Sequence, residues 1–159
     1  MNITDKYVLF WKDKLSNFSY FPYESEDGLK FLTTEQEFMY RKAKFFGDHE
    51  TAELILRSTK PWDAKKLGRQ VRGYDDKAWN KVREEVMLNA CLSKFITYPE
   101  LLLNPKFEGK EFAEASPYDT IWGIGLSADD PMANDSKNWK GQNLLGKVLG
   151  RVRKILISE

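Results

Sequence analysis

The sequence predicts an α+β domain, predominantly helical, with a small β-hairpin or sheet at its N-terminus, and three observations lead there. Tyr7-Val8-Leu9-Phe10-Trp11 is a short aromatic and β-branched run, and Leu29-Lys30-Phe31-Leu32 follows the turn signal Asp27-Gly28. From Thr33 onward helix-start signals recur, each ahead of apolar residues at helical spacing. Finally, 159 residues with 42% hydrophobic content suit one domain spanning the whole chain, 1–159, around a single core.

The helices follow in order. Thr33-Thr34-Glu35-Gln36-Glu37 holds two overlapping capping boxes, Thr33 with Gln36 and Thr34 with Glu37, ahead of a helix ending near Gly47. Asp48 caps the next, which starts at His49 and carries Ala52, Leu54, Ile55 and Leu56. Pro61 suits the first turn of a third, short helix through Trp62 and Leu67, ended by Gly68. Asp75-Asp76 opens a longer one with Trp79, Val82, Val86, Ala90 and Phe95 on its apolar side, and Pro99 begins a brief segment containing Leu101 to Leu103. From Asn104 to Gly141 the chain is irregular, interrupted by a short strand near Glu111 to Ala115. The last helix runs from about Gln142 to Leu156 with Leu144, Leu145, Val148, Leu149, Val152, Ile155 and Leu156 as its buried stripe.

Charge and composition narrow the chemistry. Lysines and arginines number 25 against 24 acids, so the overall field neither attracts nor repels nucleic acid, and an anion has to be held locally. Cys91 is the one cysteine, which excludes an intramolecular disulfide and points to a reducing compartment. Met1 to Lys14 offers no apolar run suited to a signal peptide or a membrane span, so a cytoplasmic protein without membrane contact is expected. One His and one Cys, far apart, build no zinc site of ordinary spacing. Proton transfer falls to carboxylates, lysine or tyrosine, with neither metal nor cofactor called for.

Three constellations could carry that chemistry. On a helical wheel Lys42 lies about 40° from both Phe38 and Phe46 and about 60° from Met39 and Phe45, with Glu35 within about 20°. Arg41, Lys44, Glu37 and Tyr40 point elsewhere, toward solvent. A lysine on an apolar face is either a structural residue that snorkels or pairs with a core carboxylate, or a desolvated amine able to attack an aldehyde or hold a phosphate. Glu35, roughly 10 Å along the axis, either serves the helix dipole or acts with Lys42 across a sugar-sized ligand. The second constellation is the loop from Ala115 to Pro131. There Gly123 and Gly125 would let backbone approach a ligand, Trp122 would stack on a purine-like ring, and Glu114, Asp119, Asp129 and Asp130 are carboxylates for water or ribose hydroxyls. The third is Gly141-Gln142-Asn143, where a helix N-terminus could hold phosphate, although such residues also simply start helices.

These segments, in this order, resemble the NADAR superfamily of YbiA-like N-glycosidases. The matching stretches are Leu15-Ser16-Asn17-Phe18, Thr34-Glu35, Lys42-Ala43 with Phe46 and Asp48, Ala64 with Leu67-Gly68-Arg69, Trp122-Gly123-Ile124-Gly125, and Gly141-Gln142-Asn143-Leu144-Leu145-Gly146. The resemblance implies a helix-dominated α+β domain that hydrolyses N-glycosides of ribose phosphates. One branch of the family is similar to enzymes that destroy early riboflavin-synthesis intermediates; another resembles hydrolases that remove ADP-ribose from guanine in nucleic acid. The segments 115–119 and 127–131 look more like the second. It further implies Lys42 as nucleophile or electrostatic stabiliser and Glu35 or Asp130 as acid/base. Trp122 would stack on the base, Arg69 would join Gly141, Gln142 and Asn143 on phosphate, and Asn17 and Phe18 would contact substrate. Direct attack by carboxylate-activated water is the competing route, and a non-catalytic ADP-ribose or NAD reader is the competing function. One departure stands out: Glu37 occupies a position where the family commonly has an aromatic residue, and the wheel turns it away from Lys42.

Overall fold

The computed structural model describes residues Met1–Ser158. In chain order the elements are β1 (Asn2–Ile3), β2 (Tyr7–Phe10), β3 (Tyr23–Glu24), β4 (Lys30–Phe31), α1 (Thr34–Phe45), α2 (His49–Arg57), α3 (Pro61–Gly68), α4 (Asp76–Thr97), β5 (Glu111–Glu114) and α5 (Leu144–Ser158). Single 3-10 turns lie at Pro99–Leu101, Pro105–Phe107, Pro131–Asn134 and Ser136–Asn138. This is the helix-dominated α+β fold expected. Two compact units share the chain, one made of Met1–Ser16 with the chain from Tyr98 onward, the other of Asn17–Thr97.

The first unit is built on β2. All four of its residues are buried, because it is the central strand, antiparallel to β1 and parallel to β5. A strand flanked on both sides reads as a continuous apolar run, as Tyr7-Val8-Leu9-Phe10 does. α5 packs on β5 through Leu144, Leu145, Val148, Leu149 and Val152, all buried. Arg153 extends from that helix to donate to the carbonyls of Phe107 (2.9 Å) and Lys110 (2.6 Å), with its guanidinium over the Phe112 ring.

The expected hairpin forms at the Asp27-Gly28 turn, and a small sheet forms beside it in sequence. Tyr7–Phe10 and Lys30–Phe31 are both strands, but they belong to separate sheets: β4 pairs with β3 across a turn in which Gly28 takes φ +84°, while β2 takes its partners from β1 and β5. No local turn signal can report a parallel partner a long connection away.

The second unit is arranged around α1, which packs against α2, α3, α4 and β4. Thr33 is its N-cap, its hydroxyl accepting from the Gln36 amide at 3.1 Å. The second expected box, Thr34 with Glu37, does not form; Thr34 is already helical and donates its hydroxyl to the Asn17 side chain at 2.8 Å. Gln36 also ties two elements together. Its carbonyl oxygen accepts from the Leu32 amide at 2.7 Å, and its NH2 donates to the carbonyls of Ile55, Leu56 and Ser58 at the end of α2.

A second correction concerns the far side of α1. Glu37 and Tyr40, read as solvated, are 3% and 6% exposed. Tyr40 joins Tyr23, Phe31, Ala43, Ala52, Ile55, Ala64 and Val71 in a core, so α1 is covered on two faces. Glu37 survives burial by accepting from the Tyr23 hydroxyl at 2.7 Å and from Arg41 at 3.1 Å, and Arg41 in turn grips Asp27 with both terminal nitrogens.

Asp48 closes the α1–α2 corner. Gly47, at φ +74°, turns the chain, and the buried Asp48 carboxylate accepts from the Thr51 amide and hydroxyl and from the backbone and guanidinium of Arg72. Those bonds, the Arg72 guanidinium first, hold its pKa well below the usual carboxylate range. A depressed folded pKa contributes stability that is present above the ordinary value and is lost as pH falls toward the folded one. Asp48→Ala is therefore expected to lower the thermal midpoint at neutral pH, with the gap from the parent chain narrowing in melts below pH 4.

Candidate active site

Lys42 sits where the wheel puts it. Phe38 is buried and Met39 and Phe46 are half-buried, while Phe45 is 47% exposed. Trp79 of α4 gathers Phe38, Phe45 and Phe46 within ring-centroid distances of 5.3, 5.9 and 6.1 Å. Lys42 itself is half-buried. Its Nζ donates to the Gly68 carbonyl at 2.9 Å and lies 4.6 Å from the centre of the Tyr74 ring.

Gly68 ends α3 against Met39, and a Cβ there would collide with the Met39 side chain. The absence of a side chain lets the last turn of α3 approach α1 and bring its carbonyl to Lys42. In the sequence Gly68 is a helix stop and part of the matching stretch Leu67-Gly68-Arg69, and nothing there points to Tyr74. Nothing in a periodicity reports which backbone carbonyl a distant lysine will reach.

The surroundings of Lys42 shift its amine toward the neutral form relative to a free lysine. Burial pushes the Lys42 pKa below its usual 10.5, the Glu35 carboxylate opposes that, and the Arg69 guanidinium adds to it. Glu35 is 6% exposed, in the first turn of α1, with its amide donating to the Asn17 carbonyl at 3.1 Å. Asn17 is anchored on that turn, its side-chain oxygen taking the Thr34 hydroxyl. Phe18 follows, half-buried, with its ring edge-on to Trp62 at 5.2 Å. Lys42, Glu35, Arg69, Asn17 and Phe18 thus all belong to the Asn17–Thr97 unit.

That unit also holds a concavity of about 830 Å³ lined by Asp27, Glu37, Arg41, Val86, Leu92 and Ile96 among others. Neither Lys42 nor Glu35 faces it, and its Asp27, Glu37 and Arg41 are held by one another. The concavity and Lys42 thus lie on different sides of α1.

The other predicted residues lie in the first unit, where the structure gives several of them a different duty. The Asp119 carboxylate accepts from the Ile121 and Trp122 amides, and the Ser116 hydroxyl from those of Tyr118 and Asp119. Asp130 caps the 3-10 turn at Pro131–Asn134 through the Met132 amide, and Asp129, exposed, bonds back to Ser127. Trp122 is half-buried in irregular backbone, and Glu114 ends β5.

Gly123 and Gly141 do permit a close approach, but of backbone to backbone. A Cβ on Gly123 would meet the carbonyls of Asp119 and Glu114, and one on Gly141 the Gly123 carbonyl and Thr120. Gly125 adopts φ +74° beside Lys140.

The start of α5 is corrected as a phosphate site. The amides of Gln142, Asn143, Leu144 and Leu145 donate to the carbonyls of Thr120, Gly123, Ile121 and Trp122. Amides taken by protein carbonyls are not offered to an anion. Asn143 is buried at φ +54°, its NH2 donating to the Phe112 carbonyl (2.9 Å) and its oxygen accepting from the Glu114 amide (3.1 Å), so it serves as a one-residue strand partner for β5. The Gln142 side chain remains exposed.

A model of the NADAR domain matches residues 9–157. The chain belongs to the NADAR family. This NADAR chain is 35% identical over 163 residues to N-glycosidase R617 of Acanthamoeba polyphaga mimivirus, with 94% of this chain and 96% of that one covered. Protein irg-1 of Caenorhabditis elegans is 42% identical over 136 residues, 84% of this chain, which spans 64% of the length of irg-1. The NMR structure of the E. coli protein YbiA shares the fold at a TM-score of 0.77 and 29% identity, with 99% of this chain and 88% of that one covered.

The role assigned to Asn143 has a measurable consequence. Asn143→Leu leaves the Phe112 carbonyl and Glu114 amide without their partner, each costing about 1–3 kcal/mol. Urea unfolding is expected to report a loss of roughly 2–6 kcal/mol.

Proposed function

We propose that this NADAR chain is an N-glycosidase that breaks the bond between a base and a phosphorylated ribose, its substrate being ADP-ribose attached to guanine, in a nucleotide or in nucleic acid. The observation that carries the reading is Lys42: half-buried, its pKa pushed down by burial, and on the α1 face that also carries the buried Glu35. The name of its viral relative, N-glycosidase R617, supports the activity, and the loop segments 115–119 and 127–131 support the ADP-ribosyl substrate.

The steps balance as follows. The base departs with the electrons of the C1′–N bond and takes up a proton. The neutral Lys42 Nζ bonds to C1′ in place of the base, and the ring then opens by breaking the C1′–O4′ bond, O4′ taking a proton given up by the amine, which leaves a protonated Schiff base at C1′. Water then adds to C1′, Lys42 leaves as the free amine, and the net result is hydrolysis. Glu35 accepts and returns the proton that moves between the amine and the sugar hydroxyl. Arg69, exposed at the end of α3, offers its guanidinium to phosphate.

Incubation with ADP-ribosylated guanosine should release guanosine. Borohydride should trap a protein–sugar adduct, lost in Lys42→Ala together with at least roughly 100-fold in rate. Ribosylaminouracil phosphate serves as the comparison substrate. Release of base from neither substrate would overturn the reading, and an adduct persisting in Lys42→Ala would remove that lysine as nucleophile. Because the reactive form is the free amine, single-turnover rates should rise with pH through a midpoint below 10.5. Glu35→Gln should flatten that rise and lower its plateau.

A further inference from the structure

The exposed face of α3 is a basic and aromatic surface in a chain of near-neutral charge. From Arg57 to Arg69 stand Arg57, Lys60, Lys65, Lys66 and Arg69 against a single acid, Asp63, whereas the whole chain carries 25 cations and 24 acids. Local density of this kind is what a phosphate backbone responds to, whatever the net charge.

An aromatic side chain stands within it. Trp62 is 63% exposed, a large apolar area for a solvent-facing helix position. Its ring meets Phe18 edge-on at 5.2 Å, and the Lys65 ammonium lies 5.2 Å from its centre and 5.6 Å from that of Phe18. The Phe18 contact holds the indole in place, leaving it pre-positioned for a second ring rather than free to rotate.

The stripe also has a direction. Trp62, Lys65 and Arg69 lie three and four residues apart, within about 60° on one face of α3 and over roughly 10 Å of its axis. It ends at Arg69, whose charge acts on Lys42, and at Gly68, whose carbonyl holds Lys42. Its other side touches Phe18, next in sequence to Asn17, which binds the amide of Glu35.

We propose that this face of α3 binds single-stranded nucleic acid, with a base flanking the modified one stacked on Trp62 and the adjoining phosphates on Lys65 and Lys66. A duplex keeps its base faces covered, so a stacking platform selects unpaired strands. The surface deepens the proposed function by making a strand, rather than a free nucleotide, the substrate. It rests on that reading only for the identity of the base that reaches Lys42.

The test separates the two. Fluorescence anisotropy with an unmodified single-stranded DNA dodecamer and its duplex measures the surface alone; release from ADP-ribosylated guanosine measures the reaction alone. The expected result is binding to the single strand that weakens with salt, falls about tenfold in Trp62→Ala, and loses roughly one unit of log–log salt slope in Lys65→Glu. Both variants should release base from the nucleoside at the parent rate and melt with the parent chain. No strand binding, binding unaffected by either variant, or equal binding of the duplex would overturn the proposal. If the nucleoside is still cleaved in that case, the N-glycosidase reading stands without it. Binding that follows the expectation with no cleavage of any substrate would have the reverse meaning.

Discussion

The enclosure of α1 on two faces governs what the Asn17–Thr97 unit can do. On a helix packed against three others and a strand, the polar side chains of the covered faces cannot be left to water, so they have to be satisfied inside. Gln36 does so by closing the end of α2, and Glu37 by an ion pair and a tyrosine hydroxyl. Lys42 is held by the carbonyl of Gly68 and the face of Tyr74, neither of which carries a full negative charge. A carbonyl accepts from an amine and an ammonium alike, so the site orients Nζ without demanding that it stay charged. Ordinary helix packing thereby yields a lysine that is aimed, partly dried and free to change protonation state.

In the other unit the same accounting leads to rigidity. The long stretch before α5 contains little regular structure, yet its carbonyls at Thr120, Ile121, Trp122 and Gly123 receive the first amides of α5, and its side chains at Ser116 and Asp119 close its own turns. Asn143 then fastens the helix start to β5. The loop is thereby fixed to α5, with Gly123 and Gly141 required because backbone lies against backbone and Gly125 because its φ is +74°.

What was legible in the sequence is what depends on near neighbours. Caps at Thr33 and Asp48, the proline start of α3, the turn at Asp27-Gly28 and the placing of Lys42 among Phe38, Met39 and Phe46 all follow from spacings of a few residues. What escaped depends on partners far along the chain. β2 pairs with β5 in parallel, the amides of α5 are spent on a loop, and Tyr40 and Glu37 are covered by elements the wheel cannot contain. The amide-rich start of α5 looked like an anion site for a sound reason, since free helix amides do bind anions; occupancy by carbonyls removes the premise.

Glu37 shows how far one departure from a family pattern propagates. A carboxylate in place of an aromatic ring, on the buried side of α1, would by itself be an unpaired charge. Burial pushes its pKa up, while the Tyr23 hydroxyl and Arg41 act against that, and Arg41 is itself oriented by Asp27 in the turn between β3 and β4. The replacement is thus absorbed by a chain of three polar partners on the side of α1 that carries the 830 Å³ concavity. Lys42 instead meets the Gly68 carbonyl and the Tyr74 ring, and its pKa responds to burial, Glu35 and Arg69. Glu37 and its partners thus line a wall of the fold, while Lys42 is held from α3 by the Gly68 carbonyl.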